Sequence, residues 1–227
     1  MTKYFNTAND KSAKAKLATT ENQKLPASKL HYKKTDQSHL SLGVRTFAYG
    51  HPDAPILKLI SLALGGSMSS RLFINLRERN GLAYYVRTGA ESYTDTGYLT
   101  TQAGVPVDKL EDAVKIIINE YSRLTTELIS DEELAKLKGL IHGKLPLSLE
   151  GSDDTAQWYA SQAVTLKQQN SDKALKTPEE FLAAIDKVTA EDIQRLAKEI
   201  FKTETLNLAI IGPYENIDNL KPLLEIK

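Results

Sequence analysis

From residue 39 to residue 48 apolar and polar positions alternate: Leu40, Leu42, Val44 and Ala48 fall on one side, Ser41, Gly43 and Arg45 on the other. A period of two predicts a strand with one buried face. A shorter strand is predicted before it, over residues 30–35. Gly50, Pro52 and Asp53 then break the alternation, and Asp53 stands where a side chain can cap a helix from Ala54 to about Leu64. Gly65 and Gly66 close that helix. A second short helix is predicted over residues 69–79, where Met68, Leu72 and Leu76 stack at a spacing of four with Phe73 beside them. Asn80 and Gly81, which both tolerate left-handed backbone, end it.

Residues 82–92 and 98–105 are again β-rich, and Tyr93, Thr94, Asp95, Thr96 and Gly97 between them predict a hairpin. From Pro106 the spacing lengthens, with Leu110, Val114, Ile117, Tyr121 and Leu124 recurring every three or four residues as in a helix. Three capping boxes follow: Ser130 with Glu133, Thr177 with Glu180 and Pro178 at the first helical position, and Thr189 with Asp192. A last strand over residues 206–211 stops at Gly212 and Pro213. Strands, then helices, then one returning strand predict an α+β fold: an antiparallel-rich twisted sheet with helices packed on one face, rather than a βαβ repeat.

Residues 7–28 break with this pattern. Lys, Ala, Thr, Asn and Gln dominate there, with Leu17 and Leu25 as the only large aliphatics, too little apolar surface to order the segment. Residues 1–28 therefore read as a flexible arm or linker and residues 29–227 as a single domain. The few residues ahead of the linker, with the apolar pair Tyr4 and Phe5, look like the tail of an N-terminal half that is missing.

Composition narrows the function by exclusion. The 227 residues, 41% hydrophobic and 26% charged, suffice for one sizeable core. Lys and Arg (29) balance Asp and Glu (29), so net charge calls for neither nucleic acid nor an anionic membrane as partner. No apolar run approaches the roughly 20 residues of a membrane span, and Met1 is followed by Thr2, Lys3, Tyr4 and Phe5 rather than by an export leader. The expectation is a soluble chain, cytoplasmic or periplasmic. The absence of cysteine removes thiol nucleophiles, disulfides and thiolate metal sites.

Of the four histidines, His31, His39, His51 and His142, no two share the helical spacing of four that would bring two imidazoles to one metal. His31 and His39 on neighbouring strands are the weak exception. No Gly-x-Ser-x-Gly elbow is present. The run from Gly65 to Ser70 lacks the closing Lys-Ser/Thr of a phosphate-binding loop and reads as a helix stop and restart.

The informative stretch is residues 64–86, Leu-Gly-Gly-Ser-Met-Ser-Ser-Arg-Leu-Phe-Ile-Asn-Leu-Arg-Glu-Arg-Asn-Gly-Leu-Ala-Tyr-Tyr-Val. It resembles the signature of the carboxy-terminal, zinc-free half of pitrilysin/insulinase-type zinc metallopeptidases, especially the branch with mitochondrial processing peptidase. The similarity continues through Ser130-Asp-Glu-Glu-Leu with Lys138, Thr177-Pro-Glu-Glu, Val188-Thr-Ala-Glu-Asp-Ile and the closing strand, covering essentially everything from Leu30 onward. The resemblance implies a clamshell of two related α+β halves. The first half binds zinc through a His-x-x-Glu-His helix, a motif absent here, and the second supplies an arginine and a tyrosine that face the zinc site. The matching positions are Arg77 and Tyr84, as catalytic residues, with Tyr85 a further candidate for lining the substrate chamber.

Without the resemblance each residue has an ordinary alternative. Arg77, one turn after Phe73, could lie along the apolar stripe or pair with a carboxylate. Tyr84 shares strand parity with Leu82 and Val86, so taken alone it is a core or sheet-surface aromatic, while Tyr85 points with Arg87 to the opposite face. The expected function is that of a half that closes the chamber over an extended peptide, is inactive alone, and needs a His-x-x-Glu-His half or subunit to hold the zinc. The rival readings are a catalytically silent scaffold or binding subunit of the same fold, as in core subunits of respiratory complexes, and an excised half that self-associates through its uncovered surface.

Overall fold

A computed structural model describes residues 16–227. Tyr4 and Phe5 lie outside the described residues. Five strands form one sheet in the order β1-β5-β2-β4-β3: β1 Ala27–Tyr32, β2 Gln37–Thr46, β3 Tyr85–Ser92, β4 Gly97–Pro106 and β5 Asn207–Gly212. All pairs are antiparallel except β1 with β5, which run parallel. The helices are α1 Ala54–Gly65, a π-helix Phe73–Arg79, α2 Leu110–Thr126, α3 Asp131–Leu147, α4 Ser152–Gln168, α5 Pro178–Asp186 and α6 Ala190–Ile200. The chain is thus an α+β unit with an antiparallel-rich sheet, as its element order predicts.

The alternation in β2 sorts residues as read, with Leu40, Leu42 and Val44 buried and Ser41 and Arg45 on the other face. Against the buried face lie α1, α2 and α6. Their apolar residues meet Leu99, Ala103, Val105, Leu208 and Ile210 from the neighbouring strands in one continuous core. Tyr121 of α2 is the largest fully buried side chain; its ring stacks on Phe201 at 4.4 Å, and its hydroxyl lies 3.1 Å from Leu42 O and 2.7 Å from Thr101 Oγ1. Burial raises its pKa, so this buried phenol stays neutral and hydrogen-bonded.

Several boundaries differ from the sequence reading. The first strand is Ala27–Tyr32 rather than 30–35, and it begins inside the stretch assigned to the arm; its parallel ladder to β5 defines it, not apolar content. Residues 16–26 have no regular structure but cross one end of the sheet with polar ties. Lys16 pairs with Asp95, Thr96 hydrogen-bonds Glu21, and Gln23 Nε2 donates to Leu206 O. Asp53 does not cap α1, because its carboxylate is paired with Arg195 of α6. Ser130 caps α3, yet its box stays open because Glu133 is taken by Arg71; the boxes at Thr177 and Thr189 are closed. Helix α4 shows no clear apolar period in the sequence because only Gln162 and Leu166 are fully buried on it. Among the described residues, no helix is long and apolar enough to cross a membrane.

Candidate functional site

Helix α1 ends against β3 at very close range: a Cβ on Gly65 would stand 2.5 Å from Thr88 N. This approach, not left-handed backbone, explains Gly65, which is still helical, while Gly66 caps the helix with φ −89°. After a short turn the chain rewinds. Met68, expected in the apolar stripe, falls in that turn and is 76% exposed, so the stripe reduces to Leu72 and Leu76. From Phe73 to Arg79 the winding is π, a geometry that is rare and concentrated at functional sites.

Arg77 sits in the last turn of this π-helix, exposed, with its guanidinium carbon 5.2 Å from the Phe73 ring centroid. That contact is a cation–π arrangement that steadies the stem while leaving the donors outward. Among the described residues Arg77 makes no ion pair. The chain then reverses sharply. Gly81 adopts φ +58°, the left-handed conformation that a glycine takes freely, whereas Asn80 stays at φ −110°. Leu82 N and Ala83 N both donate to Leu76 O, at 2.7 and 3.2 Å, so the reversal is pinned to the helix that carries Arg77.

Tyr84 follows at once, and the expected parity with Leu82 and Val86 fails. Leu82, Ala83 and Val86 are buried, whereas Tyr84 and Tyr85 are both exposed, Tyr84 at 54%. The cause is in the ladder. Tyr84 N donates to Gly104 O at 2.9 Å, while Tyr85 is the register partner of the same glycine, so two residues here oppose one on β4. That is the count of a β-bulge, which turns two successive side chains to the same side and is common beside active sites. The strand itself begins only at Tyr85.

Tyr85 lies flat over Gly104, where an added Cβ would stand 2.5 Å from Tyr85 Cε1, and its hydroxyl meets His39 Nδ1 at 3.2 Å with the rings stacked at 6.1 Å. His39 was not anticipated as its partner, because the pairing of β2 with β4 had to be known first. Beyond it the sheet face not covered by helices continues. Arg87 Nε donates to Gln102 Oε1 at 2.8 Å, and the Ser41 and Thr100 hydroxyls meet at 2.8 Å. A shallow depression of about 490 Å³ opens there, lined by Lys29, Ser41, Arg45, Tyr98, Thr100 and Asn207 among others.

The structure therefore places Arg77, Tyr84 and Tyr85 exposed on one short segment, with Tyr85 on the polar sheet face beside His39. It does not bring His31 and His39 together. The two strands that carry them are not neighbours, since β5 runs between them and both histidines are register partners of Ile211. Among the described residues no group of three or more His, Asp or Glu could hold a metal ion. The donor set of these residues does not fit a zinc site. His142 is occupied by Asp186 at 2.8 Å.

An α+β unit with helices on one face of a largely antiparallel sheet and a bare polar face on the other defines the class of fold. The chain belongs to the M16 peptidase family: residues 1–140 match the family described as the peptidase M16 inactive domain. It is 34% identical over 206 residues to the uncharacterized zinc protease YmxG of Bacillus subtilis, covering 90% of this chain and 49% of that protein. It is also 31% identical over 166 residues to the probable inactive metalloprotease YmfF of the same organism, covering 72% and 37%. Among solved structures, a protease from Helicobacter pylori superposes with a TM-score of 0.80 at 24% identity, over 93% of this chain and 50% of that one. The peptidase M16 inactive domain from Pseudomonas fluorescens superposes at 0.74 and 19%, over 87% and 47%. These structural matches share its fold. The chain spans about half the length of the curated relatives it matches.

Proposed function

We infer that this chain is the zinc-free half of a two-half metallopeptidase that cleaves extended peptides. In this reading the partner is a His-x-x-Glu-His half, on the same or a separate polypeptide, that holds the zinc and the general base. The zinc would supply an activated water at the scissile carbonyl. This chain closes the chamber with its bare sheet face. Arg77 presents a fixed charge with several donors, and Tyr84 a hydroxyl on a rigid stem, to the oxygen that gains negative charge. Tyr85, held over Gly104 and against His39, lines the approach for substrate.

The observation that carries this reading is the pair of outward residues. Arg77 makes no ion pair, and the Tyr84 hydroxyl has no hydrogen-bond partner among the described residues, although a bulge and a pinned reversal hold both in place. Preorganised donors without a partner in the resting half are what an oxyanion contact requires. Losing one such donor costs about 2.7–4 kcal/mol, or roughly 10²–10³-fold in kcat. In the two-half assembly, Arg77→Ala and Tyr84→Phe should each lower kcat on that scale with the melting temperature little changed. Unchanged turnover in both variants would remove the site assignment.

A second reading is a catalytically silent subunit of the same fold. It is favoured by the 31% identity to a probable inactive metalloprotease and by a fold match, TM-score 0.71, to a chain of Complex III2 from Candida albicans. Recovery of the chain in a large assembly with no His-x-x-Glu-His partner would favour it.

A further inference from the structure

A π-helix carries more residues per turn than an α-helix, and one residue of helix corresponds to about 100° of rotation. Whatever keeps residues 73–79 wound this way therefore also sets the direction in which Arg77 points. Side-chain ties hold this segment in addition to its backbone hydrogen bonds. Asn75, two residues before Arg77, is held at three points. Its Nδ2 donates to Glu120 Oε1 at 2.7 Å, its Oδ1 accepts from Arg79 Nη1 at 3.2 Å, and its backbone carbonyl accepts from Asn80 Nδ2 at 2.7 Å.

Glu120 belongs to α2 and is 2% exposed. Besides Asn75 it accepts from Arg123 Nη1 at 3.1 Å and faces Arg71 Nη1 at 4.0 Å. Arg71 is itself clamped by Glu133 of α3 through two hydrogen bonds, at 2.8 and 2.9 Å, so the turn leading into the π-helix is tied to α3 while Asn75 ties the π-helix itself to α2. A buried carboxylate is costly and adds little stability over a well-packed aliphatic residue. Its place directly under the centre of the π-helix therefore calls for a geometric role.

We propose that Glu120, acting through Asn75, is a positioning residue for Arg77: it locks the π winding that presents the Arg77 guanidinium to substrate. The proposal rests on the reading of Arg77 as a substrate-facing donor.

The test is a double-mutant cycle in the two-half assembly, joined to amide exchange in this chain. Asn75→Ala should lower kcat by about a hundredfold, the scale of a small misplacement of a catalytic group, with KM nearly unchanged. Glu120→Ala should do the same, while Glu120→Gln, which keeps a carbonyl acceptor for Asn75, should recover most of the loss. Adding Arg77→Ala to Asn75→Ala should cost less than about threefold more, because the arginine is already misdirected. Additive losses, or wild-type kcat in Asn75→Ala, would overturn the proposal. Should Arg77→Ala alone prove silent, the functional reading of Arg77 fails, and the exchange rates of the Leu82 and Ala83 amides decide the geometry. Faster exchange in Asn75→Ala and normal exchange in Glu120→Gln would uphold the lock, and no change in either would sink it.

Discussion

On the covered face of the sheet Leu40, Leu42, Val44, Leu99 and Leu208 meet helices; one residue away along the same strands, His39, Ser41, Arg45 and Thr100 do not. The bare face is not a core cut open. A surface meant for a dry, permanent interface would carry aliphatic side chains, whereas this one pairs hydroxyls and amides with each other and keeps charged tips outward. The difference teaches that the alternation does two jobs: one parity holds the fold together, and the other leaves a polar face uncovered by helices. The bulge at Tyr84 is where the two parities are deliberately broken, so that two aromatic residues reach the same side.

The largest effect expected from breaking the contrast is on the covered face. Tyr121→Ala removes a fully buried ring and its contacts with Leu42 O and Thr101, and should cost about 3–5 kcal/mol in denaturant unfolding. Thr100→Ala on the bare face should stay within about 0.5 kcal/mol. Comparable losses would erase the distinction between the faces. A smaller effect is expected where Tyr85 lies on Gly104. A methyl group there would collide with the ring, so Gly104→Ala should cost about 1–3 kcal/mol and release the Tyr85 hydroxyl from His39, read as a change in the His39 ring signals. An unaltered His39 spectrum would mean that Tyr85 is not seated as described.

The smallest effect concerns the segment that crosses the end of the sheet. Lys16, by hydrogen-bonding Asp95 and helped by the Thr19 N–H, holds the Asp95 carboxyl down at about 2. A depressed carboxyl means that the tie is complete above its ordinary value of 3.8 and is lost as pH falls through about 2. An NMR titration should place the Asp95 midpoint near 2, moving toward 3.8 in Lys16→Ala. A midpoint near 3.8 in both proteins would detach this segment from the hairpin.

Legibility followed the range of the interactions. The hairpin at Tyr93–Thr96 and the caps at Thr177 and Thr189 depend on residues three or four apart, and both were readable. The α+β class followed from the order of elements. What could not be read depends on partners far away in the chain. The parallel seat of β1 needs β5, about 180 residues later, to exist first. The cap at Ser130 stays half-made because Arg71, remote in sequence, claims Glu133. The bulge needs Gly104 of β4 in place, so the outward turn of Tyr84 breaks the parity with Leu82 and Val86 that spacing alone implies. Arg77, Tyr84 and Tyr85 stand out as candidates only through an ordered motif, since their ordinary alternatives are equally compatible with spacing alone.

The most direct test of the account is hydrolysis of a quenched fluorescent peptide by this chain with zinc, alone and after addition of the His-x-x-Glu-His half encoded with it. The account predicts no turnover from the chain alone and turnover in the mixture, abolished by a chelator and restored by zinc. Turnover by the chain alone, or a mixture that forms a stable complex yet cleaves nothing, would contradict it.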